Sequence, residues 1–139
     1  MVDELKPFSK IHWDELGLTK DDVQLDMDWD RFIKMEREGK LHTITVRDDG
    51  KLLGYHISFI GTHPHYKSTN HAVVDLYYLH KEHRLGRTGI RLFKYAEASL
   101  KKLGVVKISS GCKVKLDHTK LFEYLGYEFS DKMFIKIIA

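Results

Sequence analysis

The chain has 139 residues and 16.3 kDa, the length of a single domain that buries roughly two-thirds of its unfolded surface without metal or disulfide staples. Hydrophobic residues make up 42% and charged residues 31%. No apolar run approaches the ~20 residues that span a bilayer, the start lacks the features of a signal peptide, and the lone Cys112 suits a reducing, cytoplasmic setting, so a secreted disulfide scaffold, a membrane protein and a disordered tail are excluded. The net charge of +3 is uneven: residues 1–40 carry −4 and residues 41–139 carry +7. A positive field over the last two-thirds favours a polyanion, either nucleic acid or a phosphorylated cofactor, although solvated lysines give the same count.

In chain order, Ile11 to Leu18 reads as a short helix, followed by an acidic loop with Asp21, Asp22 and Asp26. Asp28 can cap a helix in which Trp29, Phe32, Ile33 and Glu36 share a face and which Gly39 ends; the two aromatics read as packing. Leu41 to Arg47 is β-rich, Asp49-Gly50 is a hairpin turn signal, and Lys51 to Ile60 makes the return strand. Gly61 to His71 is polar and reads as a long binding loop.

Ala72 to Leu79 is a nearly continuous apolar run, as expected of a central strand buried on both faces, and Asp75 interrupts it. Ile90, Phe93, Ala96, Leu100 and Leu103 then recur at helical spacing up to Gly104. Val105 to Ser110 is a short strand, and Lys113 to Leu116 alternates like a strand with one solvated face. Asp117 can cap a helix through Leu121, Phe122 and Leu125, with Gly126 as its stop; Phe129 to Ile138 closes as a strand. The order α-α-β-β-β-α-β-α-β describes a mixed α/β domain around a central sheet.

The most informative stretch is Leu79 to Ile90, which joins the buried strand to the long helix. Gly86 and Gly89 allow a tight turn and close ligand approach. The first helical amides lack intrahelical partners and lie at the positive end of the dipole. Together they make a phosphate or pyrophosphate site, and Arg84, Arg87 and Arg91 add mobile charge. Neither a P-loop nor a G-x-G-x-x-G fingerprint is present.

Arg84-Leu85-Gly86-Arg87-Thr88-Gly89 resembles the [QR]-x-x-G-x-[GA] signature of the GNAT superfamily of N-acetyltransferases, with Arg87 in place of the first glycine. Leu121-Phe122-Glu123-Tyr124-Leu125-Gly126-Tyr127 is similar to that family's F-Y-E-K-L-G-F stretch, and Arg-Thr-Gly-Ile-Arg-Leu resembles small phage-encoded members. The likeness covers residues 72–128; the usual first strand is not recognisable before residue 40. It implies the GNAT-like fold: a central, mostly antiparallel sheet flanked by helices. It also implies one domain over residues 1–139, with residues 1–40 on the acceptor side and 72–128 as the acetyl-CoA-binding core.

On these residues the resemblance places the pyrophosphate of acetyl-CoA on the amides of Leu85, Gly86, Arg87, Thr88, Gly89 and Ile90, aided by Arg84. Pantetheine runs along the end of the Ala72 to Leu79 strand, bonding the backbone of Leu79 and Tyr77, where a bulge parts the strands. An N–H near Leu79 receives the acetyl carbonyl. An acceptor amine near pKa 10.4 must lose a proton before attack, and Asp75, where many members carry glutamate, is the candidate base, its pKa raised by burial; Glu82 ranks behind it. The family's tyrosine acid falls on Phe122, and Tyr124 is two residues away, about 200° around a helix.

Five of the nine histidines, His63, His65, His71, His80 and His83, lie close in sequence, but without H-E-x-x-H or C-x-x-C they read as substrate contacts or solvated residues, and no metal is expected. His56 fits either an acceptor pocket or a hydrogen-bonded core position. Cys112, with no catalytic motif around it, reads as buried.

The resulting expectation is an acetyl-CoA-dependent N-acetyltransferase, monomer or homodimer, acting on the primary amine of a small molecule, polyamine, N-terminus or protein lysine. The acceptor enters between the N-terminal helical region, the Gly61 to His71 loop and the last strands. The acids of residues 1–40, Asp21, Asp22 and Asp26 among them, favour a cationic acceptor. Two alternatives stand beside it: a catalytically weak CoA-binding or protein-interaction module, and a nucleic-acid-associated or base-modifying protein, though no nucleic-acid-binding motif occurs.

Overall fold

The computed structural model describes residues 3–8 and 25–138. The Ile11 to Leu18 helix, Asp21 and Asp22 lie outside them. Packing divides the chain into two units, one of residues 28–111 and one drawn from residues on either side of it.

In the first unit, helix α2 (Trp29–Arg37) begins where Asp28 accepts a hydrogen bond from the Arg31 amide at 3.0 Å, and Gly39 closes it at φ +71°. Strands β1 (Leu41–Asp48) and β2 (Lys51–His63) meet at Asp49-Gly50. Both turn residues have positive φ, 47° and 78°, the conformation that matches the twist of paired strands. Phe32 packs 6.1 Å from Phe59 of β2.

The expected Gly61 to His71 loop is corrected. β2 continues to His63, and β3 runs from Tyr66 to Leu79, leaving Pro64-His65 as the turn of a long hairpin. Cross-strand pairing engages the inward backbone groups of the arm while its outer edges face solvent, so its polar side chains sit on an exposed β-arm.

β1, β2 and β3 are antiparallel, and β4 (Val105–Ser109) lies parallel to β3 at the sheet edge in the order β1-β2-β3-β4. Helix α3 (Thr88–Lys102) joins β3 to β4, entered through a short 3-10 turn at Lys81–His83. Its buried face is Leu92, Phe93, Ala96 and Leu100. Leu103, expected on that face, is 58% exposed. Ala72, Leu100 and Val105 form a core cluster between helix and sheet.

Sheet alternation puts His42, His56, Ser58 and Tyr77 on the side facing α3. His42 Nε2 lies 2.8 Å from Ser99 Oγ. His56, 1% exposed, meets Phe93 edge-on at 5.0 Å. It is therefore a core residue, and its Nδ1 has no hydrogen-bond partner. Tyr55 stacks on Tyr78 at 5.8 Å, their strand positions pointing to the opposite face. β3 is not buried on both faces as expected: Val73 is 53% exposed and Asp75 is exposed.

In the second unit, residues 3–8 form helix α1, with Leu5 buried. Helix α4 (Thr119–Tyr124) starts after Asp117, whose carboxylate accepts from the Thr119 amide at 2.9 Å, and stops at Gly126, φ +85°. Lys113 to Leu116 makes one isolated bridge rather than a strand. Cys112 is half-buried rather than buried, receiving the His118 amide at 3.3 Å.

Phe129 to Ile138, expected as the closing strand, belongs to no strand. β-propensity describes side chains that suit a pleated surface, but a strand also needs an edge to pair with. Phe129, Met133 and Phe134 are 79%, 89% and 89% exposed.

Candidate active site

The candidate site lies where β3 parts from β4. The two strands pair only from Asn70 to Val73 on β3, and among the described residues no strand pairs with Val74 to Leu79 on that side. Just past the parting, the β2–β3 register steps from Ser58↔Val74 to Ile57↔Leu76, so Asp75 has no opposite residue. Asp75 is the extra residue of a β-bulge, a device that re-aims a side chain and bends its strand. The expected bulge in the Ala72 to Leu79 strand thus falls at Asp75.

The Asp75 side chain touches solvent, yet the protein crowding around it pushes its carboxyl above the usual range. Partial loss of water disfavours the charged form, which makes Asp75 a better proton acceptor near neutrality.

Beyond the parting, Tyr77 donates its hydroxyl to the Gly111 carbonyl at 2.9 Å and packs its ring 5.1 Å from Phe93. Leu79 is buried, and its carbonyl accepts from Arg84 Nε at 2.6 Å. The Arg84 guanidinium also covers the Tyr78 ring at 5.3 Å. Arg84 therefore clasps the turn to the strand end instead of adding mobile charge.

The turn delivers the N-terminus of α3. Its first intrahelical bond runs from Arg91 N to Arg87 O, and no side chain caps the helix. The amides of Thr88, Gly89 and Ile90 are thus left for an acceptor from outside, with no acid in the first turn to offset the helix dipole. Gly86 and Gly89 do not make the tight turn through left-handed backbone: among the described residues the left-handed glycines are Gly39, Gly50, Gly104 and Gly126. A Cβ at Gly86 or Gly89 would meet nothing within 4 Å, so these glycines keep the approach to the amides clear. Leu85 stands 100% exposed beside them.

Asp75, Tyr77, Leu79 and the 84–90 turn all lie in the first unit, whereas Tyr124 lies in the second. Tyr124 is 59% exposed, while Phe122 is half-buried with its ring 5.3 Å from Tyr127. Among the described residues no group of His, Cys, Asp or Glu could hold a metal ion. Nor does any described helix have the length and apolarity to cross a membrane.

A mixed sheet that parts beside an uncapped helix N-terminus sets an open strand edge next to an anion-binding helix end. The sequence agrees over most of its length: residues 5–127 match the Acetyltransferase (GNAT) family, and the chain belongs to that family. Among curated proteins, none matches significantly. Solved structures share the fold at low identity. A GCN5-related N-acetyltransferase from Ralstonia eutropha JMP134 is 18% identical, with a TM-score of 0.75 and coverage of 98% of this chain and 94% of that one. A ribosomal-protein-alanine N-acetyltransferase from Brucella melitensis biovar Abortus 2308 is 17% identical, with a TM-score of 0.71 and coverage of 99% and 93%. A predicted acetyltransferase with acetyl-CoA from Clostridium acetobutylicum is 10% identical, with a TM-score of 0.71 and coverage of 99% and 92%.

Proposed function

We propose that this acetyltransferase uses acetyl-CoA to acetylate a primary amine by direct attack in a ternary complex. The observation that carries this reading is the α3 N-terminus, uncapped and cleared by Gly86 and Gly89. Its amides and dipole suit a pyrophosphate. The similar structure from Clostridium acetobutylicum carries acetyl-CoA. Residues 1–139 are read as one domain, with 72–128 on the cofactor side and 1–40 on the acceptor side.

When bound, acetyl-CoA supplies an acetyl thioester. The amine nitrogen forms a bond to its carbonyl carbon, the carbon–sulfur bond breaks, and the sulfur leaves as thiolate. The nitrogen sheds one proton before attack and another after it. Asp75, held at the bulge with a raised pKa, takes the first directly or through water. The edge from Val74 to Leu79, beyond the residues that pair with β4, offers backbone groups to pantetheine, with the Leu79 carbonyl already engaged by Arg84. Tyr124 is the hydroxyl proposed to return a proton to the thiolate. The acceptor is a primary amine of a small molecule, polyamine, N-terminus or protein lysine.

The test is calorimetric titration of wild type, Arg84→Ala and Gly89→Glu with acetyl-CoA. The wild type should bind. Gly89→Glu should abolish binding by placing an anion over the free amides, and Arg84→Ala should weaken it by loosening the turn. Absence of binding by the wild type, or undiminished binding by Gly89→Glu, overturns the reading.

A further inference from the structure

Past the last residues paired with β4, β2 and β3 continue as a two-stranded arm. At its root, on the sheet face that carries Val73, lies a cleft of about 360 Å³, a size that holds small ligands. Phe59, Tyr66 and Val73 give it apolar walls; His63 and His71 flank Tyr66, with ring centroids 6.2 and 5.2 Å away. Thr69 Oγ1 lies 2.9 Å from His71 Nε2 and helps fix that ring. Lys107 of β4 holds its ammonium 5.7 Å from the centre of the Tyr66 ring.

Two features define what this cleft takes. Its rings and Val73 suit a flat or apolar body. Its charge is one-sided, because Lys107 is a cation and none of the described residues lining it is an acid. Among the described residues a polycation would therefore find like charge and no counter-ion, whereas a carboxylate would find Lys107. The cleft also adjoins the proposed chemistry, since Val73 lines it and Asp75 stands two residues along the same strand, roughly 7 Å away.

We propose that this cleft binds the non-reacting part of the acceptor, and that the acceptor is an amine with an aromatic or apolar body and a carboxylate. This rests on the acetyl-transfer reading and stands as an alternative to the cationic acceptor expected from the acids of residues 1–40, of which Asp21 and Asp22 lie outside the described residues. Neither the hairpin arm nor the position of Lys107 beside it was foreseen from the sequence.

The test follows the ring protons of His63 and His71 by NMR during titration with L-phenylalanine, phenethylamine and spermidine, with CoA present and absent. His63→Gln and His71→Gln assign the signals. Phenylalanine should move both signals and bind about fivefold more tightly than phenethylamine, the scale of one exposed ion pair. Lys107→Ala should erase that preference, Tyr66→Ala should weaken both aromatic amines, and spermidine should leave the signals in place. The proposal is overturned if spermidine or phenethylamine binds at least as well as phenylalanine. It is equally overturned if the preference survives Lys107→Ala, or if no probe moves either signal. This readout needs no acetyl transfer, so its failure is distinguishable from a failure of acetyl-CoA binding.

Discussion

Asp75 concentrates the proposed chemistry in one side chain, and its environment allows activity and stability to be separated. A carboxyl whose folded pKa is raised keeps its proton to higher pH in the folded protein than in the unfolded chain. The folded state is thus favoured below the unfolded value, and this advantage is lost as pH rises through the folded value. At neutral pH the ionised Asp75 is a local cost, and Asp75→Asn removes it. The variant should lose roughly 10²–10⁴-fold in kcat/KM while its thermal midpoint holds or rises. The wild-type rate should fall as acid protonates Asp75. A variant that keeps its rate would remove Asp75 from the role of base. The sequence exposed this residue because an acid within an apolar run is conspicuous, but the bulge that re-aims it depends on a register step against Ser58 and Ile57 that one strand's sequence cannot contain.

At the scale of elements, helices α2, α3 and α4 and the tight turns were legible because their signals are local, whereas helix α1 over residues 3–8 was not expected. Asp28, Asp49-Gly50, Gly104 and Gly126 each act within a few residues of themselves. The long hairpin was not legible, since polar strands look like loops until their partners are known. Gly54 illustrates the same distance effect: a Cβ there would lie 2.5 Å from the Tyr78 carbonyl oxygen and 3.1 Å from Leu79 Cα. Nothing in the neighbourhood of Gly54 in the sequence announces that contact. Gly54→Ala should destabilise the protein by about 1–3 kcal/mol, read by chemical denaturation. Because the β2–β3 pairing also holds the strand end that Arg84 clasps, acetyl-CoA binding should weaken with it. An unchanged midpoint would mean that the strands part more readily than their close approach implies.

For the whole molecule, the two buried histidines on the α3 side of the sheet are predicted to weaken stability in acid. Burial is the first cause holding His56 down to about 4, with His42 nearby as the second. Burial lowers His42 as well. Between the ordinary histidine value and about 4, the unfolded chain binds a proton that the native His56 refuses, so stability falls as pH falls. The loss from His56 alone is about 3 kcal/mol. His56→Leu should flatten the fall of the thermal midpoint between neutrality and about pH 4. An equally steep fall in the variant would assign acid sensitivity to other groups.

The sequence alone determined the family, the order of most elements and the turn proposed to face the cofactor, because capping residues, glycine stops and the signature around Arg84 to Gly89 act within a few residues. It also singled out Asp75. Only the tertiary structure decided how those residues are used: Arg84 clasps Leu79 and Tyr78, Gly86 and Gly89 clear space instead of bending the chain, and Asp75 falls in a bulge. The cleft at the hairpin root likewise joins Phe59, Tyr66 and Lys107 from three strands. Such features come from pairing between distant segments, and local residue preferences carry no record of which strand a segment will meet or in what register.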